Sequence, residues 1–300
     1  MIVDKPGHVT DRILLMGRRE SCVYLLKGER EYALLGGGMV HIVPEIMAQL
    51  KAFAIAEERI KRIVILHSHF DHCGIVGFFK KRWPWAKVAG SARARELLAS
   101  PKAIETIAFL NRSLIEKYGR RAEAAKLQLG FEGIEVDEVV RDRDVLGCGG
   151  LAMEVLEVPG HSSCSIAIYV KDEQALFTSD AGGIPIGKKI FTAANSNFDQ
   201  YQNSLKKMAG YRPQICLAEH FGALTGEEGR RFLGRSMDAA AKTRRALEES
   251  LDRTHSVEKS AAELTQAMMA NLPADLLPGE IIAMVIGQML SNIEKGSKSN

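Results

Sequence analysis

The residues best suited to chemistry are histidines and aspartates that follow predicted strands. The densest group is an HxHxDH motif directly after the apolar run at residues 63–66, formed by His67, His69, Asp71 and His72. Three imidazoles and one carboxylate so close together make a poor core, because burying them without partners costs several kcal/mol each. Imidazole and carboxylate are ligands of zinc, iron and manganese. The motif therefore predicts a metal centre at the end of a strand.

Three further polar residues occupy the same kind of position. His161, Asp180 and His220 follow predicted strands at residues 152–158, 175–178 and 215–218. Functional groups in an open α/β sheet gather beyond the carboxyl ends of the strands. We therefore expect the four segments to meet at one edge of the sheet. Two divalent cations held there would lower the pKa of a bound water to about 7 and polarise a carbonyl group. This chemistry predicts a hydrolase.

Short strands and helices alternate along the part of the chain that positions these residues. Strands are predicted at residues 12–16, 22–26 and 32–35, and a helix over residues 43–58 leads into a buried strand at 62–66. A helical insertion is predicted at about 101–129, interrupted at Gly119. After Thr225 the strands stop, and three helices follow at 227–251, 257–271 and 279–294, with Pro273 and Pro278 between the last two. The alternation predicts an α/β fold.

Composition and charge exclude several classes of protein. The chain has 300 residues, 46% hydrophobic and 26% charged, as in ordinary globular proteins. Its net charge of +3 and the absence of an arginine-rich run argue against a nucleic-acid partner. The longest strongly apolar stretch, residues 281–290, is far shorter than the roughly 20 residues that cross a bilayer. The five widely spaced cysteines indicate free thiols and a reducing compartment, so we expect a cytoplasmic protein.

The order of these motifs resembles the metallo-β-lactamase superfamily over roughly residues 10–225. The resemblance implies an αββα sandwich: a catalytic domain at 1–225 that contains the insertion, followed by a C-terminal helical cap at 226–300. It implies two divalent metal ions, which are iron, zinc or manganese. One would be held by His67, His69 and His161, the other by Asp71, His72 and His220, with Asp180 and a hydroxide bridging them. Asp71, beside the nucleophile, would orient it or accept its proton.

Details outside the metal ligands are similar to the PqsE-like branch of that superfamily, which hydrolyses 2-aminobenzoylacetyl-CoA. They are residues 109–114 in the insertion, His72-Cys73-Gly74, and residues 276–280 before the last helix. This resemblance implies an acyl- or aroyl-thioester hydrolase whose C-terminal helices cover the metal site and shape an apolar acyl pocket. Separately, the position of the insertion between the ligand motifs predicts a lid lined by Phe109, and the alternative is a surface helix that only packs on the sheet. In one departure, Leu35-Gly36-Gly37 stands where many members carry an aspartate after an early strand.

Two alternatives remain open. The same metal site would serve a lactonase or a glyoxalase II-like hydrolase, with a small-molecule ester or thioester substrate in each case. A PqsE-like regulatory protein would instead act through a protein partner. The complete ligand set favours an enzyme, since a structural site needs no open position.

Two minor features carry simple interpretations. The apolar face of the last helix at Ile282, Val285, Ile286, Met289 and Ile293 indicates intramolecular core, with a homodimer contact as the alternative. His8, His41 and His255 lie outside any motif and are expected at the surface.

Overall fold

The computed structural model describes residues 1–270 and 279–297. The strands in this part of the chain are β1 Ile2–Val3, β2 Gly7–His8, β3 Ile13–Arg18, β4 Ser21–Lys27, β5 Tyr32–Leu35, β6 Ile60–Val64, β7 Lys87–Ser91, β8 Glu138–Val140, β9 Val145–Cys148, β10 Leu151–Glu157, β11 Ile166–Val170, β12 Ala175–Phe177, β13 Ile184–Ile186, β14 Lys189–Phe191, β15 Ile215–Leu217 and β16 Ala223–Leu224. The helices are α1 Val43–Ala52, α2 Val76–Arg82, α3 Ala92–Leu98, α4 Pro101–Lys117, α5 Arg121–Leu127, α6 Phe198–Gly210, α7 Gly226–Thr254, α8 Val257–Met269 and α9 Gly279–Ser297.

Most strands belong to two seven-stranded sheets. The first has the order β2-β3-β4-β5-β6-β7-β8; it is antiparallel as far as β5 and parallel from β5 to β8. The second has the order β1-β16-β15-β12-β11-β10-β9, in which only the β12–β15 pair is parallel among the described strands. Parallel neighbours need a crossover connection. Helices α1, α2 and α6 lie in such connections, as do α3 to α5 together.

The sheets pack face to face, and helices cover both outer faces. On β3, Ile13 and Leu15 enter the core between the sheets, whereas Leu14 and Met16 enter the core beneath the first group of helices. Successive side chains of a strand point to opposite faces, so a strand buried on both sides reads as a continuous apolar run. The layers are helix, sheet, sheet, helix, which confirms the predicted αββα sandwich with C-terminal helices.

The C-terminal helices cover the outer face of the second sheet. Phe232 of α7 and Ile286 and Met289 of α9 are buried in one core with Leu156 and Leu176 of that sheet. The apolar face of α9 is therefore intramolecular core, as the sequence indicated. The predicted boundary at residue 225 coincides with the start of α7 and stays a prediction. Pro273, Pro278 and the 276–277 segment lie outside the described residues.

The insertion at 101–129 forms α4 and α5, which are separated near Gly119, where φ is +65°. Helix α4 packs against two short turns, Val40–Ile42 and Phe70–His72. The second of these turns carries part of the HxHxDH motif. The insertion therefore lies beside the predicted metal site.

Several boundaries differ from the sequence-based expectation. The helix predicted over 43–58 ends at Ala52, because Ala54 takes a left-handed conformation with φ of +49° and turns the chain. Strands β1, β2, β8, β9, β13, β14 and β16 were not predicted from the sequence. Within the described residues, no helix is both long enough and apolar enough to cross a membrane.

Candidate metal centre

The HxHxDH motif lies where the two sheets meet. Beyond the end of β6, the Ile65 amide donates a hydrogen bond to the Ala89 carbonyl of the first sheet at 2.9 Å. The next carbonyl, of Leu66, accepts a hydrogen bond from the Ile166 amide of the second sheet at 2.8 Å. The chain is thus held by both sheets immediately before His67. This anchoring fixes where the first histidine enters the site.

A close backbone approach holds the rest of the motif. The turn Phe70–His72 lies against the glycines after β5, and the Gly74 amide donates to the Gly38 carbonyl at 2.8 Å. A Cβ atom at Gly37 would collide with the His72 carbonyl oxygen. Only a glycine at position 37 therefore lets the turn come this close.

The first trio, His67, His69 and His161, has the geometry of a metal site. The Nε2 atom of His161 lies 3.3 Å from Nε2 of His67 and 3.0 Å from Nδ1 of His69. Tetrahedral zinc with bonds of 2.0–2.1 Å to nitrogen separates its ligand atoms by about 3.3 Å. Nδ1 of His161 faces a backbone carbonyl, so its Nε2 offers one lone pair, which cannot form two well-aligned hydrogen bonds at once. A shared cation would satisfy all three nitrogens.

The second trio, Asp71, His72 and His220, is arranged in the same way. Its two Nε2 atoms are 3.1 Å apart. Oδ2 of Asp71 lies 3.5 Å from Nε2 of His72 and 3.6 Å from Nε2 of His220. The ligand atoms of each trio lie within 4.8 Å of one another and could hold a metal ion.

Asp180 lies between the trios. Its Oδ2 is 3.2 Å from Nε2 of His72 and 3.7 Å from Nε2 of both His161 and His220. Its other oxygen, Oδ1, is buried and has no hydrogen-bond partner. A buried carboxylate oxygen normally has a partner, so this orphaned atom also fits a cation site. The structure thus brings together all seven residues that the sequence singled out.

Electrostatics give the first trio the protonation state that metal ligands need. Burial, and then the facing imidazoles, lower the pKa of His67 well below its usual value, and burial lowers that of His69 to about 3. Burial is also the main cause of the lowered pKa of His161. The first trio therefore offers neutral imidazoles with free lone pairs.

In the second trio, the pKa values of the histidines shift in the opposite direction. Burial acts to lower the pKa of His72 and His220, but nearby carboxylates, Asp180 first, outweigh it and raise both. Conversely, burial acts to raise the pKa of Asp71 and Asp180, and the His72 imidazole is the main cause that holds both below their usual range. Both carboxylates are therefore ionised and able to bind a cation.

Backbone carbonyls orient two of the histidines from behind. Nδ1 of His161 lies 2.8 Å from the Ala193 carbonyl, and Nδ1 of His220 lies 2.8 Å from the Glu20 carbonyl. A ring that donates its Nδ1 proton in this way keeps the Nε2 lone pair for a metal. Both Nε2 atoms face the site.

Two residues of the site were missed by reasoning from the sequence. Ser179 and Glu219 each directly precede a predicted ligand, Asp180 and His220, and both are about 1% exposed. The Ser179 hydroxyl lies 3.1 Å from Nδ1 of His67 and donates a hydrogen bond to the Glu219 carboxylate. Adjacency to the ligands was the only signal in the sequence.

The prediction that His41 lies at the surface is wrong. It is 1% exposed, because its ring stacks on Tyr118 of the insertion with centroids 3.9 Å apart. Its Nε2 lies 3.6 Å from a carboxylate oxygen of Glu20. Contact with the insertion, which lies far away in the sequence, is what buries it.

The site is open on the side of His69 and Asp71. The Asp71 side chain is 17% exposed, against 1% for His72. Phe109, predicted to line a substrate pocket, is 60% exposed on α4, two residues from the buried Ile107 and Asn111. In a helix, such a spacing puts Phe109 on the opposite face. Its role in substrate binding stays a prediction.

Comparison with known proteins agrees with this geometry. The family model described as the metallo-beta-lactamase superfamily matches residues 16–220. The acyl-coenzyme A thioesterase MBLAC2 of Homo sapiens is 26% identical over 179 residues, which are 57% of this chain and 61% of that protein. The chain thus spans about three fifths of the length of that relative. A hydroxyacylglutathione hydrolase of Rhodopseudomonas palustris (strain BisB5) is 24% identical over 253 residues, or 82% of this chain and 85% of that protein.

The solved structures show the same fold. The crystal structure of a metallo-beta-lactamase family protein from Thermus thermophilus superposes with a TM-score of 0.69 at 19% identity, covering 96% of this chain and 95% of that one. The family model covers well over half of the chain and ends at His220, the last of the seven residues. The chain therefore belongs to the metallo-β-lactamase superfamily.

Proposed function

We propose that this protein is a dinuclear metallohydrolase that cleaves acyl or aroyl thioesters of the coenzyme A type. The observation that carries the proposal is the pair of trios with Asp180 between them, open towards His69 and Asp71. A purely structural site is closed by its own ligands, whereas a catalytic site keeps a position for water or substrate.

The residues divide into two ion sites. His67, His69 and His161 would hold one divalent ion, and Asp71, His72 and His220 the other, with Asp180 in reach of both. Two bound ions would supply a water of lowered pKa and polarise the thioester carbonyl. The imidazole and carboxylate donors fit iron, zinc or manganese.

The chain's own groups supply orientation and proton transfer. Asp71 is the more exposed of the two aspartates, and its Oδ2 lies 3.5–3.6 Å from the Nε2 atoms of His72 and His220, the other members of its trio. From there it can orient the incoming water and accept its proton. The water oxygen adds to the thioester carbonyl carbon, the carbon–sulfur bond then breaks, and Asp71 can return the proton to the departing thiolate, which leaves a carboxylic acid and a free thiol. A thioester suits this site because its thiolate leaves without strong acid assistance.

The thioester class has support beyond the site. The two relatives named above are, by name, hydrolases of an acyl-coenzyme A and of an acylglutathione, and both substrates join an acyl group to a thiol. The glutathione-ester activity is the second candidate, favoured by the longer match of that relative, which covers 82% of this chain.

The test is release of free thiol by metal-loaded protein from a panel of substrates. The panel holds short and long acyl-CoA esters, aroyl-CoA esters including 2-aminobenzoylacetyl-CoA, S-lactoylglutathione and an acyl-homoserine lactone. We expect turnover of CoA thioesters that is lost in His69→Ala. Turnover of S-lactoylglutathione alone would select the second candidate. No turnover of any ester by protein with two bound ions would overturn the proposal and favour action through a protein partner.

A further inference from the structure

We propose that Glu219 is a positioning residue that orients one histidine of each metal trio. This inference rests on the proposed dinuclear site. Oε2 of Glu219 lies 3.0 Å from Nδ1 of His72, which belongs to the second trio. The same oxygen accepts the Ser179 hydroxyl, which in turn lies 3.1 Å from Nδ1 of His67, in the first trio. The carboxylate thus lies behind both rings, on the side away from their Nε2 atoms.

The burial of Glu219 requires compensating positive charge. The residue is 1% exposed, and its ion-pair partner is His72. A buried carboxylate is costly unless it is paired and hydrogen-bonded. Two divalent ions would bring four positive charges, against two negative charges from Asp71 and Asp180. Glu219 supplies a third negative charge directly behind the site, where the excess of positive charge would be.

The backbone around Glu219 makes room for this carboxylate. Gly36, just after β5, has a φ of +89°, and a Cβ atom there would lie 2.5 Å from Oε1 of Glu219. Any larger residue at position 36 would displace the carboxylate from His72. The glycine therefore serves the placement of Glu219 as well as the turn itself.

Ser179 provides a second, independent observation. It is a buried non-glycine residue with a φ of +46°, a left-handed conformation that L side chains rarely adopt. Such strain persists where the surrounding structure requires it and clusters at functional sites. In this conformation the Ser179 hydroxyl contacts both the Glu219 carboxylate and Nδ1 of His67. A glycine would relax the backbone but break the connection.

The physical consequence is control of both ligands by one group. A carboxylate that accepts the Nδ1 proton of a metal-binding histidine fixes its tautomer and ring orientation and raises its basicity. Glu219 faces His72 directly, as an ion pair with 3.0 Å between its Oε2 and the ring Nδ1 that is not closed into a hydrogen bond, and it reaches His67 through the Ser179 hydroxyl. Loss of its charge should therefore weaken both ion sites, whereas loss of the hydroxyl should weaken the first site alone.

The experiment compares Glu219→Gln with Ser179→Ala, using zinc competition against a chromophoric chelator and visible spectra of the cobalt-substituted protein. Glu138→Gln, at an ion pair with Arg62 on the first sheet, is the matched control. We expect Glu219→Gln to lower the affinity for both ions by about 10–100-fold and to shift the cobalt absorption bands. We expect Ser179→Ala to lower the affinity for one ion by a similar factor and to leave the affinity for the other within about twofold of the wild type. The control should match the wild type.

Three outcomes would overturn the proposal. If a folded Glu219→Gln protein binds both ions within twofold of the wild-type affinities, the carboxylate does not position the ligands. A fall in stoichiometry from three ions to two would show that His67, His72 and Glu219 hold an ion themselves, as their spacing would also allow. If Glu219→Gln does not fold, equal affinities of Ser179→Ala and wild type for both ions would refute the connection.

Measurement of metal affinity tests this inference independently of the proposed function, because it does not require turnover. A wild type that binds two ions but cleaves no thioester would end the proposed function and leave this test intact. Where turnover is present, Glu219→Gln should lower kcat with little change in KM, because Glu219 lies behind the ligands and not at the open side. Its pH–rate profile should shift, and Glu138→Gln should leave that profile unchanged.

Discussion

The substitution His69→Ala tests the assignment of the first trio most directly. Nδ1 of His69 lies 3.0 Å from Nε2 of His161, so its removal takes one of three imidazoles from one ion and leaves the second trio complete. Structural zinc sites bind with about 10–16 kcal/mol through four ligands, or about 2.5–4 kcal/mol for each ligand. Loss of one ligand should therefore raise the Kd of that ion by two to three orders of magnitude.

The assay is metal content by mass spectrometry after dialysis against a buffered zinc concentration, together with thiol release. We expect about two ions per wild-type chain and about one in His69→Ala, with most of the turnover lost. His8→Ala, a substitution of an exposed histidine far from the motif, is the control and should keep both ions. Circular dichroism establishes that each variant is folded. A folded His69→Ala protein with two tightly bound ions and wild-type turnover would refute the dinuclear assignment.

Three further predictions follow from the same structure. Removal of metal by a chelator should lower Tm by about 5–10 °C, since an ion at 100 times its Kd adds about 2.7 kcal/mol; an unchanged melting curve in differential scanning calorimetry would contradict bound ions in the native protein. Binding of an ion to the second trio should release about one or two protons and strengthen as the pH rises above the usual range of histidine, because raised pKa values keep His72 and His220 protonated in the metal-free protein. The lowered pKa values of the first trio predict no release there. Titration calorimetry in buffers of different ionisation enthalpy measures this, and equal release at both sites would contradict it. Phe232→Ala, which removes a fully buried ring of α7 beneath the second sheet, should cost about 3–5 kcal/mol of unfolding free energy, and denaturant titration that finds less than about 1 kcal/mol would argue against the shared core.

The fold was largely predictable because its signals are local. Apolar runs buried on both faces, such as those of β3 and β6, appear in the sequence as strands, and Gly119 marks the break in the insertion. The strands that escaped prediction are short: β8, β9, β13 and β14 have three or four residues, and β1, β2 and β16 have two. In strands this short, pairing with a neighbour decides the conformation more than the local sequence does.

The orientation of the insertion could have been inferred more sharply. Residues 107, 111 and 115 follow a helical spacing and form the buried face of α4, with Asn111 between two isoleucines. Phe109 falls outside that face and is exposed. The position of the insertion between the ligand motifs suggested that Phe109 lines a pocket, but helical geometry determines which way the side chain points.

The sequence alone determined the seven residues that approach one another, because each follows a strand and strand ends in this fold converge on one edge. Only the tertiary structure decided what lies behind them. Glu219 acts on His72 and His67, and Tyr118 covers His41, through contacts between segments far apart in the chain. Such contacts depend on which ring nitrogen and which helix face meet after packing, and no local pattern of residue types encodes that.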